Sequence, residues 1–234
     1  MVKKVYGNFC YTKSFHSFAF RIYWNMEMKD RIKSKANELF KRYGIRSVTM
    51  DEIATQLGIS KKTIYQSFTD KDDIVSEVVK DHLESSEQDC LSCKLDAENA
   101  VHEVFLAMDR VIAHLRDMHP AMVFDLHKFH YEAFRKFQSF KDEFLYKGIE
   151  DNLNRGIQEG LYRPEINIEI LSKFRVESVY FSFNPNTFSP EKHTPADVHM
   201  ELMVHFLFGL STPKGYKQIE KYLFDRKKQH HEGS

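Results

Sequence analysis

A short segment of the chain carries side chains that can bind a nucleic acid. Lys61 and Lys62 can meet phosphates or guanine, and Gln66 can form two hydrogen bonds with adenine. Thr63 and Tyr65 can reach a phosphate or the methyl group of thymine. Taken alone, a lysine pair is more often a solvated helix face, and a tyrosine is more often an aromatic at the edge of a core. The five residues therefore indicate nucleic-acid binding only if the surrounding sequence presents them together.

Hydroxyl residues stand at the two positions where such a surface would begin. Thr49 is followed three residues later by Glu52, which is the capping-box pattern of a helix start. Ser60 directly precedes Lys61 and is a suitable cap for the next predicted helix. Because the amide groups exposed at helix starts bind phosphate, we expect Thr49 and Ser60 to lie among the phosphate contacts.

The segment TMDEIATQLGISKKTIYQSF, residues 49–68, has the composition of a helix-turn-helix. Ala54 is small enough to let two helices approach, and Gly58 can adopt the left-handed conformation that ends the first of them. The apolar residues that would bury the pair against an earlier helix, which runs from Asp30 to Gly44, are Ile53, Leu57, Ile59 and Ile64. In this geometry the second helix lies in the major groove of DNA with its N-terminal residues at the base edges.

Residues 28–84, and GIRSVTMDEIATQLGISKKTIYQSFTDKDDIV in particular, resemble the N-terminal domain of the TetR/AcrR family of bacterial transcriptional regulators. The glycine before the capping threonine, the Ile-Ala pair, the Gly-Ile-Ser turn and the Thr-Ile-Tyr sequence occur in register with Phe68 and Lys71. The resemblance implies that Thr49 anchors the DNA backbone, that Thr63 and Tyr65 contact the operator, and that Lys71 binds phosphate.

The chain departs from the family pattern at two places within the second helix. Lys62 and Thr63 follow Lys61 where many members have a glycine. Gln66 with Ser67 replaces a more common pair of an aromatic residue and a histidine. These departures affect the expected operator sequence rather than the expected mode of binding.

The charge of the whole chain conceals an uneven distribution. The chain has 234 residues with 34 Lys and Arg against 34 Asp and Glu, so its formal net charge is zero. Between Lys29 and Lys71 there are ten basic and five acidic residues, whereas from Glu84 onward there are 19 basic and 24 acidic residues. A basic segment that faces DNA and an acidic remainder are therefore expected, and they cancel in the total.

The second half of the chain shows helical periodicity and an excess of aromatic residues. These aromatics cannot all face one way on a helix, so they form a core and an interface, or some of them line an apolar ligand cavity. The candidate pocket residues are Phe105, Met108, Phe124, His127, His130, Tyr131 and Phe134. The expected ligand is an unidentified small-molecule inducer, apolar or aromatic in character.

The family resemblance also implies a homodimer in which the last two long helices of each subunit form a four-helix interface. The candidate interface residues are Phe174, Val179, Phe181, Met203, Leu207 and Leu210. They follow from the helices that the resemblance assigns to the interface, and no family motif in this half of the chain supports them position by position.

Other residues of reactive type give weak signals. Cys90 and Cys93 have a spacing used by zinc and redox sites, but no second ligand pair accompanies them, so a surface pair is favoured over metal or redox sensing. His127 with His130 and His199 with His205 indicate metal sensing only weakly. No nucleophile motif, phosphate loop or paired carboxylates occur. We expect no enzymatic activity, no cofactor, no metal site and no membrane span, and a cytoplasmic location.

Together these patterns predict an all-α fold with an N-terminal three-helix helix-turn-helix domain, followed by a helical-bundle domain for ligand binding and dimerisation. We predict a disordered or wrongly assigned extension at residues 1–25 and a DNA-binding domain at residues 26–86. A regulatory domain is predicted at residues 87–228, followed by a disordered tail at residues 229–234. The predicted function is that of a ligand-responsive repressor that binds a near-palindromic double-stranded DNA operator as a dimer. The alternatives are an activator or DNA-structuring protein of the same fold, and a helical ligand-binding or metal-binding protein without a DNA function.

Overall fold

The computed structural model of the protein describes residues 12–116, 118–119, 121–182, 187–189 and 191–232. Four helices form its N-terminal part: α1 (Thr12–Tyr43), α2 (Met50–Leu57), α3 (Lys61–Ile64) and α4 (Lys71–Asp96). Seven further helices follow: α5 (Ala100–Arg116), α6 (Met122–Phe129), α7 (Tyr131–Ser139), α8 (Tyr146–Gln158), α9 (Ile168–Phe181), α10 (Pro195–Leu210) and α11 (Pro213–Glu232). A π-helical segment (Phe140–Leu145) joins α7 to α8.

The predicted all-α class is confirmed. Within the described ranges the only β-type pairing is an isolated bridge between Tyr162 and Ser211. Among these helices, none combines the length and the apolar composition needed to cross a membrane.

Helical structure extends into parts of the two terminal segments, residues 1–25 and 229–234, that the sequence predicts as an extension and a tail. Helix α1 already begins at Thr12, although the apolar pattern indicates a helix only from Asp30. Helix α11 continues to Glu232, beyond the predicted start of a tail at residue 229. Residues 1–11 and 233–234 lie outside the described residues.

The first apolar core holds the helix-turn-helix together. Ile32 and Phe40 of α1 pack with Ile53 of α2, Ile64 of α3 and Ile74 of α4, and all five are buried. This core also includes residues from the second half of the chain, namely Met122, Leu126, Ala133 and Phe134. Helices α6 and α7 therefore pack directly against the N-terminal helices.

The second apolar core lies among α5, α8, α10 and α11. Its central residues include Met108 of α5, Leu153 of α8, Leu207 of α10 and Ile219 of α11. Helix α4 contacts both α5 and α7, so it connects the helix-turn-helix with the helices of the second half of the chain. A shift in the bundle can therefore reach the N-terminal helices through α4, α6 and α7.

Candidate nucleic-acid interface

Hydrogen bonds of the caps position the two helices of the motif. The N–H group of Glu52 donates to Thr49 Oγ1 at 3.1 Å, and the N–H group of Thr63 donates to Ser60 Oγ at 3.1 Å. Gly58 has φ of 65°, a left-handed conformation that few residues other than glycine adopt readily. Its N–H group donates to Thr55 O at 3.1 Å, which ends α2. The predicted caps and turn therefore occur at the expected residues.

Helix α3 is shorter than the predicted second helix. Regular helix covers only four residues, and the chain continues through turns in which the N–H groups of Ser67 and Phe68 both donate to Ile64 O. Ile64 and Phe68 are nevertheless both buried, as predicted. The buried side chains of Ile64 and Phe68 fix the orientation of this turn, so its opposite face points to solvent.

The outer face of α3 and the turn after it carries the predicted contact residues. Lys61, Lys62, Tyr65 and Gln66 are exposed, and Thr63 is half-buried. The side chain of Tyr65 is 49% exposed, which is high for a large aromatic residue in a folded domain. The structure therefore brings these five residues together at one solvent-facing surface.

Two of these side chains already have polar partners. Lys61 Nζ donates to Asp51 Oδ2 at 2.9 Å, and this hydrogen bond raises the pKa of the exposed Lys61 ammonium. The hydroxyls of Ser60 and Thr63 lie 2.8 Å apart, within hydrogen-bond distance. A phosphate that bound Lys61 would have to compete with the Asp51 carboxylate, at little cost because the pair is in water.

Thr49 and Lys71 flank this surface on the adjoining helices. Thr49 is exposed at the start of α2, and Lys71 is half-buried at the start of α4. Lys71 Nζ lies 3.4 Å from Arg46 O, to which it donates. Partial burial lowers the pKa of the Lys71 ammonium, and the nearby Asp125 carboxylate opposes that shift.

Sequence reasoning missed a set of contacts that join α6 to the DNA-binding helices. The N–H group of Arg46 donates to the buried Asp125 carboxylate at 3.1 Å. His130 Nδ1 lies 2.8 Å from Asp72 Oδ1, at the start of α4. The partners are 79 and 58 residues apart in sequence, so no local pattern could have indicated either contact.

The candidate pocket residues do not surround one cavity. Phe105 and Met108 lie in the second core, whereas Phe134 and the buried His130 lie beside the N-terminal helices. Phe124, His127 and Tyr131 are exposed. The expectation of one shared pocket fails because α6 and α7 turn their apolar faces to the first core, away from α5.

The candidate interface residues divide between two faces. Phe174 and Phe181 are about half exposed on α9, at 56% and 47%, and Val179 is half-buried. Met203, Leu207 and Leu210 are buried in the protomer's own second core and are not available to a partner. The prediction for α10 chose the wrong face because that helix is apolar on both sides.

The cysteine pair of α4 is not a surface pair. Cys90 is half-buried and Cys93 is buried, and burial raises the pKa of Cys90 to about 11, which favours the protonated thiol. In the part of the chain that the structure describes, no three His, Cys, Asp or Glu side chains gather as metal ligands would.

The N-terminal helices and most of the chain resemble known bacterial regulators. Residues 32–78 match the family model described as "Bacterial regulatory proteins, tetR family". The transcriptional repressor KstR2 of Mycobacterium tuberculosis is 25% identical over 161 residues, which cover 63% of this chain and 75% of the repressor.

Solved structures show the same fold over most of the chain. A TetR-family regulator from Agrobacterium tumefaciens has a TM-score of 0.67 at 15% identity, covering 80% of this chain and 100% of that one. A regulator from Saccharomonospora viridis in complex with choline has a TM-score of 0.63 at 16% identity, covering 80% and 99%. The fold similarity therefore extends beyond the helix-turn-helix into the regulatory bundle.

Proposed function

Because the chain belongs to the TetR family of bacterial regulatory proteins and is a DNA-binding transcriptional regulator, we propose that it represses transcription as a dimer on a near-palindromic operator. We further propose that a small molecule bound in the helical bundle releases it. The observation that carries the proposal is the solvent-facing surface of α3, where Lys61, Lys62, Tyr65 and Gln66 are exposed behind a buried Ile64. Residues 26–86 would form the DNA-binding domain and residues 87–228 the regulatory and dimerisation domain.

In the proposed complex each α3 enters a major groove. Tyr65 and Gln66 would meet base edges, and Lys61 and Lys62 would meet guanine or phosphate. Thr49, Ser60, Thr63 and Lys71 would hold phosphates on either side, and these contacts would set the register of the protein on the duplex. The net charge of +5 between Lys29 and Lys71 supports this arrangement.

The proposed dimer contact uses the outward face of α9 and α10. Ile170, Phe174 and Phe181 are exposed on α9, and Phe206 of α10 lies with its ring centre 6.2 Å from that of Phe174. A continuous apolar patch of this kind is unusual on a monomer and is typical of an interface. Phe174, Val179 and Phe181 remain interface candidates, and Phe206 replaces the buried residues of α10.

The proposed control of DNA binding follows from the contacts of α6 and α7. Asp125 holds the backbone of Arg46 just before α2, and His130 holds Asp72 at the start of α4. A ligand that favours a different position of these helices would change the separation of the two α3 helices in the dimer. It can shift the equilibrium only by the difference between its affinities for the two conformations. Operator and inducer would meet the protein in the cytoplasm, where bacterial DNA lies.

Selection of bound fragments from a pool of random double-stranded DNA tests the proposed function. We expect the purified full-length protein to enrich an inverted repeat whose half-sites are about one helical turn, or a multiple of it, apart. Enrichment of unrelated sequences, or of none, would contradict an operator-binding dimer. A footprint that overlaps the promoter would support repression, whereas one upstream of it would favour activation.

A further inference from the structure

Helix α9 has an unusual distribution of polar and apolar residues. Its outward face carries the exposed apolar residues Ile170, Phe174 and Phe181, whereas its inward face carries the buried polar residues Ser172 and Arg175 beside the buried Val176. An ordinary surface helix turns apolar residues inward and charged residues outward, so a buried arginine is unusual there. The dimer contact accounts for the outward face, and the inward face needs a separate explanation.

Arg175 is a buried cation without a carboxylate partner. The residue is only 5% exposed, and burial lowers the pKa of its guanidinium to about 10. It donates to Ser178 Oγ at 2.7 Å and lies 3.3 Å from His199 Nε2. Among the described residues no Asp or Glu oxygen lies within ion-pair distance of Arg175. Because charges buried in proteins are normally paired, this guanidinium is poised for an anion.

Two buried polar groups without a partner accompany Arg175, one on His199 and one on Ser172, which lies one helical turn before Arg175 on α9. Since the guanidinium has only donors, His199 Nε2 must accept, and the proton of the neutral ring then lies on Nδ1. His199 Nδ1 and Ser172 Oγ are buried and have no hydrogen-bond partner among the described residues. Burial lowers the pKa of His199 to about 3, so the ring stays neutral near pH 7. These residues therefore offer a positive charge and two unpartnered groups that can donate, and no carboxylate of the described residues pairs with them.

The apolar surroundings of the cluster indicate what else the ligand carries. His199 shares the inward face of α10 with Met203 and Leu207, which follow it at helical spacing and belong to the second core. A different cavity, of about 300 Å³, lies beside Val176; its lining mixes Lys173 with Asp142 and Glu177, and neither Arg175 nor His199 lines it. The anion would therefore bind on the core side of α9, with its apolar part against α10.

We propose that Arg175, His199 and Ser172 bind the acidic group of the controlling small molecule, and that this molecule is a carboxylate with an apolar body. The proposal rests on the proposed function, because it specifies the ligand of that regulator. A planar guanidinium matches the two oxygens of a carboxylate. The core is closed around the cluster, so binding must move α9 or α10, and such a movement is what a ligand-controlled repressor requires.

The proposal is tested with two carboxylates and their neutral counterparts: decanoate against 1-decanol, and benzoate against benzamide. Each is titrated into the full-length protein while thermal unfolding is followed. We expect at least one carboxylate to raise Tm more than its neutral counterpart does. Arg175→Met should weaken binding of that carboxylate by about tenfold to a hundredfold, the loss expected for a charge-assisted pair of hydrogen bonds.

Control variants separate binding from folding. Arg135→Met makes the same substitution at an exposed arginine of α7 that pairs with Glu132, and it should leave carboxylate binding unchanged. Arg175→Met should unfold at the same temperature as the free wild-type protein or at a higher one, because it removes an unpaired buried charge. Ser172→Ala removes a single hydroxyl without altering the charge, and it should weaken carboxylate binding several-fold while the fold persists.

The proposal is overturned if neither carboxylate stabilises the wild-type protein more than its neutral counterpart. It is also overturned if Arg175→Met preserves that difference, or if it lowers Tm of the free protein. Operator binding is measured on the same samples without ligand. Retained operator binding with no response to carboxylates contradicts only the ligand class, whereas loss of operator binding by the wild-type protein contradicts the proposed function.

Discussion

Ile64 and Tyr65 are neighbours in the chain with opposite environments. Ile64 is fully buried between the helices of the motif, and Tyr65 points its ring into solvent. Burial explains Ile64 completely, since a buried aliphatic side chain of this size contributes about 1.5–3 kcal/mol to folding. Nothing in the fold of the free protein accounts for the exposed ring of Tyr65, whereas a contact with the proposed operator would account for it.

Tyr65→Ala tests the contact at the level of one side chain. We expect operator affinity to fall by about 1–3 kcal/mol, the range measured for the loss of a single specific base contact. The free energy of unfolding should change by less than about 0.5 kcal/mol, because the ring is exposed. Fluorescence anisotropy with labelled operator and urea unfolding measure the two quantities.

Tyr131→Ala is the matched control, since Tyr131 is exposed on α7 and distant from α3 in the chain. Both of its measured quantities should stay at the wild-type values. Equal operator affinity for Tyr65→Ala and Tyr131→Ala would show that Tyr65 makes no contact with DNA.

The turn between α2 and α3 depends on the backbone of one residue. Gly58 is left-handed and has open space around it, so an added methyl group would meet no neighbour. Any effect of a larger residue at this position therefore arises from backbone strain alone. Gly148 has equally open surroundings but lies inside helix α8, where the backbone is not left-handed.

Gly58→Ala and Gly148→Ala should change stability in opposite directions. We expect Gly58→Ala to lower the free energy of unfolding by about 1–2 kcal/mol, since alanine is disfavoured at positive φ. Gly148→Ala should raise it by about 0.5–1 kcal/mol, since alanine favours a helix interior. Urea unfolding of both variants checks the signs, and a stabilising Gly58→Ala would exclude the left-handed turn.

Local signals explain why the helix-turn-helix could be predicted from sequence. The caps Thr49 and Ser60 and the turn at Gly58 each depend on residues within five positions, and all three have the expected geometry. Helix α10 shows why the regulatory half could not be predicted equally well. Apolar residues occur on both its sides, so periodicity does not distinguish the buried Met203 and Leu207 from the half-buried Phe206 that we propose for the interface.

The buried cluster was missed for a related reason. Arg175 and His199 lie on different helices, 24 residues apart, and each alone resembles an ordinary surface residue. The only sequence signal for a buried Arg175 is that Phe174 and Phe181 lie on the opposite side of α9, and the same two residues equally indicate an interface. Contacts between distant segments, including Asp125 with Arg46, are not indicated by any local spacing.

The whole molecule combines two apolar cores with opposite charges around them. The basic N-terminal segment would meet DNA and the acidic remainder would be repelled by it, so the charge distribution would favour approach to the duplex with the N-terminal helices first. The proposed near-palindromic operator would require two copies. The exposed apolar residues of α9 would supply the surface for that pairing in the proposed dimer.

Phe174→Glu tests the pairing. The side chain is exposed in the protomer, so the fold should persist, while a buried charge at the proposed interface should disfavour dimers. We expect a monomer by sedimentation velocity, and weaker operator binding because one half-site is lost. Leu95→Glu changes another exposed apolar residue, 86% exposed at the end of α4, and should remain dimeric. A dimeric Phe174→Glu variant would place the interface elsewhere.

The dependence of operator affinity on salt concentration tests the central claim most directly, namely that the basic surface around α3 binds DNA phosphates. If each subunit of the dimer neutralises three or four phosphates, the logarithm of the association constant should fall with the logarithm of salt concentration at a slope of about −5 to −7. A double variant, Lys61→Ala with Lys62→Ala, should make that slope smaller in magnitude. A slope near zero for the wild-type protein would contradict the account.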